Sequence, residues 1–405
     1  VARLITSGFE LDKTGDEADT INSGTATSLT SSQAHGGTYA LQLGPSSTLT
    51  PYLVYDYYSA NQAKKVYARA WIYISTLPAS AFKLIDICNN NTVTQAGIIL
   101  TPTGATTAAL QLVNATTPTP IQIGFNSPTL NLGTWYCVEL FIDATVTSGT
   151  NEARLNGTVF ATGAGTATTG VSKFRIGLYN GTASTSTGTV IIDDIAVNDG
   201  TGSNQTGYPG LGQIVRATPS GQGDSNSFLT AHNGTAGAQN NYTRVSELTP
   251  DSGTTYNASA AAASDLFTVT VPAIPSTATI NCVVVGGQYA NSAATDTGTA
   301  FKWQIEKTSG GTVATSSANI PNSNTWTING TTGGSQGQSN YPLVLYNDPS
   351  GNPWTATTIA SMQIGYTLST AGTNPVGISA VWACVDYTPQ APAATHTLSS
   401  LGVGN

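Results

Sequence analysis

The chain has 405 residues, with 13 Lys and Arg against 21 Asp and Glu, a formal net charge of −8, and charged residues at 8%. That length accommodates two domains of ordinary size, and the acidic balance excludes a nucleic-acid partner, because counterion release needs clustered Lys and Arg. The longest apolar runs fall far short of the ~20 residues of a membrane-spanning helix, so a membrane partner is not expected either.

With 43 Gly, one Met and an abundance of Thr, Ser, Asn and Ala, the composition favours strands and turns over helices. In chain order, Gly8-Phe9-Glu10 and Gly37-Thr38-Tyr39-Ala40-Leu41 come first. The run from Pro51 to Tyr58 follows, in which alternation puts Tyr55 and Tyr57 on one face with Leu53. Val66 to Ile74 alternates as a half-buried antiparallel strand should. Strand-like runs then recur at Lys83–Ile87, Gly97–Leu100, Ala109–Val113, Trp135–Asp143, Lys173–Tyr179 and Val190–Val197. Many short strands at regular spacing predict a sandwich or barrel.

From Gly200 to Asn241 the composition turns to Gly, Ser, Asn and Gln, with one apolar island at Leu211–Val215, and reads as a linker. Strand patterns resume at Asp265–Val271, Ala278–Val285, Ala300–Glu306, Ser361–Tyr366 and Ile378–Tyr387, with one helical turn at Thr355–Ile359. The expected class is therefore all-β: two β-sandwiches over residues 1–199 and 242–388, a linker over 200–241, and an extended tail over 389–405. Pro392, Leu398 and Leu401 in that Pro/Ala/Ser tail are candidates for anchoring on a neighbouring subunit. Cys88, Cys137, Cys282 and Cys384 all lie in apolar runs without a zinc spacing, and are expected to be buried thiols.

Catalytic patterns are missing. Glu139 is the one glutamate of the Trp135–Asp143 run and reads as an exposed strand carboxylate, and His35, His232 and His396 are far apart in polar loops. No phosphate loop occurs. The chain is not expected to be an enzyme. Tyr55 and Tyr57 could serve core packing, a subunit interface or sugar stacking.

Gly133-Thr134-Trp135-Tyr136, the hairpin Arg154-Leu155-Asn156-Gly157 and the closing Ile192-Asp193-Asp194-Ile195 resemble the laminin-G and concanavalin-A-like jelly roll. Asp251–Tyr256, Pro272-Ala273-Ile274-Pro275, Ala294–Thr299 and Asn347–Thr355 resemble an uncharacterised module of tailed-bacteriophage and prophage virion proteins. Together these resemblances imply a virion structural component, a decoration, fibre or tail-surface protein, with other virion proteins and further copies of itself as partners. The alternative they leave is a carbohydrate-binding adhesin or receptor-binding protein that meets a cell-surface glycan. The N-terminal pattern is also similar to β-sandwich carbohydrate-binding modules, which implies that Glu10 and Asp193 can hold a structural calcium. The other reading of Asp193 is that it accepts backbone N–H groups at the sheet end.

Overall fold

The computed structural model describes residues 3–13, 20–22, 27–44, 51–57, 63–114, 121–166, 170–179, 187–232, 240–291, 301–316, 320, 326–328, 343–369, 371 and 375–390. It is nearly all β, with Ala356–Ser361 the one α-helix among the described residues. That helix falls at the expected turn because Thr355 caps it, its hydroxyl accepting from the Thr358 amide while the Thr358 hydroxyl accepts from the Thr355 amide.

The first sandwich stacks two eight-stranded sheets. One runs Thr158–Ala164, Thr150–Leu155, Trp135–Asp143, Lys65–Thr76, Thr189–Asp199, Ala40–Leu43, Thr27–Thr30, with Arg3–Ser7 also on Thr189–Asp199. We refer to it as the seam sheet. Its inner face follows from alternation: Val66, Ala68, Ala70, Ile72 and Ile74 are fully buried, while Tyr67, Trp71 and Tyr73 between them are only partly so. The hairpin at Asn156-Gly157 turns with both residues at positive φ, 50° and 79°, as a two-residue turn between twisted strands requires.

Tyr55 and Tyr57 point into this core, 1% and 0% exposed. Their shared face with Leu53 is real, but it is the inner one. Neither tyrosine is a glycan or interface residue, and their hydroxyls reach Ser7 Oγ and the Lys173 carbonyl.

A second correction concerns Asp193. Simple alternation places it beside Ile195 and Val197, yet the pairing with Lys65–Thr76 slips between Asp193 and Ala196, and Asp194 sits at φ 49°. This β-bulge resets the alternation. Val190, Ile192, Ile195 and Val197 all enter the core, and Asp193 turns to the outer face with Ile191.

The expected linker over 200–241 is also overturned. Gln213–Asn226 is a 14-residue strand of the second sandwich. Its first half pairs with Val376–Thr388 and its second with Ala263–Thr270, and slips at Pro219/Gly221 and Gln222/Asn226 let it pass from one layer to the other. The Gly, Ser and Gln that read as a linker are what such a corner needs. Only 200–212 connects the two units.

The second sandwich is a single eleven-stranded sheet folded over that corner. Trp303, fully buried, fills its middle opposite Gly287, where any side chain would overlap the indole and the Ala380 carbonyl. All four cysteines are free and buried, as expected. The tail residues Pro392, Leu398 and Leu401, the Ala294–Thr299 turn and His396 lie outside the described residues.

Candidate functional site at the seam between the sandwiches

The outer face of the seam sheet carries the residues that alternation leaves over. Cross-strand register pairs Tyr73 with Trp135, Trp71 with Cys137, Arg69 with Glu139 and Tyr67 with Phe141. Half of this face is covered by the connection 200–212 and the second sandwich. There the Asp386 carboxylate meets two guanidiniums, Arg3 Nη1 at 2.6 Å and Arg69 Nη2 at 3.4 Å, with all three side chains 0–1% exposed. Arg69 Nε also donates to the Asp194 carbonyl at 2.9 Å, and Arg3 Nε to Asn198 Oδ1 at 2.8 Å.

Burial alone would push the Asp386 carboxyl up, but Arg69 and Arg3 hold it below the usual carboxylate range. Gly212 allows the approach, since a Cβ there would overlap the Arg69 guanidinium. Beside the ion cluster, Leu11 packs with Ile214, Trp382 and Cys384 across the seam. Arg216 ties a third point, donating to the carbonyls of Glu10 at 3.1 Å and Glu247 at 2.7 Å.

Glu139 is not the exposed carboxylate expected. It is 1% exposed and accepts the Gly210 amide at 2.9 Å, because the connection lies over it. Burial pushes its carboxyl up, against the pull of that amide and of Arg69. In this arrangement it is an acceptor for the connection.

Glu10 and Asp193 both serve the loop at residues 35–39. Glu10 Oε1 accepts the amides of Thr38 at 2.7 Å and Tyr39 at 2.9 Å. Asp193 Oδ2 accepts those of His35 at 2.7 Å and Gly36 at 3.1 Å, and its Oδ1 that of Asp194 at 2.8 Å. Of the two readings of Asp193, the backbone one describes this geometry. A carboxylate facing several N–H dipoles is already compensated, and those dipoles oppose a cation. Among the described residues no group of three or more His, Cys, Asp or Glu side chains is placed to hold a metal ion. Burial, and then the adjacent Asp194 carboxylate, push the Asp193 carboxyl well up, and burial likewise raises that of Asp194.

The residue that sequence reasoning passed over is His35. Its Nδ1 lies 2.6 Å from Asp194 Oδ2, and its ring stacks on Trp71 at 3.6 Å between centroids, with 19° between planes. Trp71 Nε1 donates to the Gly212 carbonyl at 2.9 Å, and Asp194 Oδ1 accepts the Ile214 amide at 2.6 Å, so the second sandwich fixes this cluster. Trp135 stands edge-on to His35 at 5.4 Å and tilted to Tyr73 at 5.5 Å. The available signal was the outer half of the Val66–Ile74 alternation, which sets Tyr67, Arg69, Trp71 and Tyr73 on one face.

No helix among the described residues is long and apolar enough to cross a membrane. No protein-family model matches the chain, and no curated protein does. Solved structures with partial likeness include a cellulose-induced protein, Cip1, at 17% identity and TM-score 0.34, covering 50% of this chain and 98% of that one. Domain 4 of AbnA, an extracellular arabinanase from Geobacillus stearothermophilus in complex with arabinotriose, aligns at 14% identity and TM-score 0.31, covering 49% and 93%. A mutant Trypanosoma rangeli sialidase aligns at 13% and TM-score 0.28, covering 39% of this chain and only 27% of the sialidase. At such values no residue's role transfers.

Proposed function

We propose that this chain is a non-catalytic structural component of a tailed-phage virion, a decoration, fibre or tail-surface protein that docks on the particle and holds a jelly roll outward. The supporting observation is the seam: a fully buried Arg3–Asp386–Arg69 cluster makes two sandwiches one stiff body, which suits a part that bears and presents rather than one that opens around a substrate. Its partners on this reading are other virion proteins and further copies of itself. Ile121, 60% exposed on a short sheet-edge strand, and nearby Phe125, 82% exposed, suit a contact with such partners.

Immunogold labelling of purified particles of the phage that encodes the chain tests the placement. Regular label on the particle surface is the expected result, and antigen found only in the particle-free fraction overturns it. Non-catalysis has its own test. Purified protein should release no reducing sugar from common polysaccharides, and turnover that vanished in Glu139→Gln would refute it.

The second reading, a carbohydrate-binding adhesin, is favoured by one observation. Tyr73, Trp71 and Trp135 form a half-buried aromatic strip on the outer face of the seam sheet.

A further inference from the structure

We propose that the strip Tyr73–Trp135–His35 is a binding site for a neutral sugar ring. The site gives the adhesin reading its residues and its ligand class, and it stands apart from virion placement, which rests on the seam.

Tyr73 and Trp135 are direct cross-strand partners, so the strip is mounted on paired strands rather than on a loop. The rings are not close-packed. Trp135 meets Tyr73 at 51° and His35 at 61°, so these three splay rather than stack on one another, with Tyr73 and Trp135 half-buried and His35, its side chain 13% exposed, resting one face on Trp71. Aromatic faces carry negative quadrupole charge and attract the weakly positive C–H face of a pyranose. The buried indoles of this chain look different: Trp303 and Trp382 are 0% and 1% exposed and packed into apolar clusters.

The polar tips complete the case. Trp71 Nε1 is satisfied by Gly212, but Tyr73 Oη, Trp135 Nε1 and His35 Nε2 have no hydrogen-bond partner among the described residues. His35 Nδ1 is engaged by Asp194, which fixes the ring and leaves Nε2 for a ligand. A sugar hydroxyl both donates and accepts, so it answers the indole donor, the phenol and either imidazole tautomer. Gly133, at φ 74°, makes the turn that leads into Trp135 beside the Tyr73 hydroxyl.

Neutrality follows from the charges nearby. Arg69 and Asp194 are 0% exposed and already paired, so among the described residues the strip has no solvent-facing guanidinium with which to hold a carboxylate. An anionic sugar is therefore disfavoured against a neutral hexose or N-acetylhexosamine.

The experiment uses the full chain. Intrinsic tryptophan fluorescence and calorimetry would follow titration with gluco-, galacto-, manno- and N-acetylglucosamine oligomers up to about 10 mM, the weak end of measurable affinity, with sialyllactose as the anionic control. Saturable binding of at least one neutral oligomer is expected, weakened about tenfold or more in Trp135→Ala and in Tyr73→Ala. Both variants should melt with the parent, since these side chains are half-exposed. Tyr73→Phe keeps the ring and should retain most binding should Tyr73→Ala fold poorly. The proposal is overturned if no neutral sugar binds saturably, if Trp135→Ala binds as the parent does, or if sialyllactose alone binds. Any of these results would leave the particle-labelling outcome untouched.

Discussion

Two halves of one sheet face, four residues apart along the same strand, solve opposite problems. Arg69 is fully buried and Tyr73 is half-exposed, although both point outward from the first sandwich. Arg69 can be there only because Asp386 arrives from the second sandwich, 317 residues on, to compensate it. At Arg69, under the second sandwich, the face uses charge, and at Tyr73 and Trp135 it uses aromatic rings with free polar tips. The seam is thus a designed boundary between an interior and a surface, and the difference can be broken from either side.

The largest effect should come from the covered half. Asp386→Ala leaves two buried guanidiniums without their anion and should lower unfolding stability by about 3–5 kcal/mol, read by urea denaturation. By contrast Arg154→Ala, which removes an ion pair with Glu152 whose side chains are 30% and 22% exposed, should change it by about 1 kcal/mol or less. Equal losses in the two variants would mean that the sandwiches are held by the Leu11–Trp382 contact rather than by charge.

Glu139 sharpens the same contrast at smaller scale. Because burial pushes its carboxyl up, a neutral isostere should serve: Glu139→Gln keeps an acceptor for the Gly210 amide and should lose under about 1 kcal/mol, whereas Glu139→Ala strands that amide at about 1–3 kcal/mol. If Gln were as damaging as Ala, the residue would be acting as an anion toward Arg69.

Two carboxyl groups near the seam should also differ in pH response. Asp386 is held low, so its contribution is present above its unfolded value near ~3.9 and is lost as pH falls through its folded value. Glu247, whose backbone carbonyl Arg216 grips, is pushed up to about 7 by burial. Its contribution is greatest below its unfolded value near ~4.3 and is lost as pH rises toward 7. Melting temperatures of Glu247→Gln should therefore flatten between these values, with the acid loss unchanged. Asp386→Asn should weaken the acid loss instead.

Much of the fold was legible because alternation is local. The strand from Val66, the Asn156-Gly157 turn, the helical turn at Thr355 and the burial of the four cysteines each follow from a few neighbouring residues. What was not legible depended on partners far along the chain or on one backbone angle. Nothing near Glu139 announces that Gly210 will lie over it. The positive φ of Asp194, which turned Asp193 outward, has no signature beyond a paired Asp-Asp. The Gln213–Asn226 strand was hidden by the glycines and serines that let it turn a corner. The aromatic strip is a different case: its alternation was visible, but attention to the apolar phase of Val66–Ile74 left the opposite phase unread.

The smallest expected effect is at the sheet end where Glu10 and Asp193 meet the 35–39 loop. If backbone amides suffice for these carboxylates, EDTA should leave the melting temperature unchanged and added calcium should not raise it, because only a ligand bound to the folded state stabilises by mass action. Asp193→Ala should still destabilise, by about 1–3 kcal/mol, since it strands the His35, Gly36 and Asp194 amides without involving a metal. A chelator-dependent fall in melting temperature that disappears in Asp193→Ala would restore the calcium ion. It would also recast the loop as metal-organised, and with it His35, whose place beside Trp71 depends on that loop.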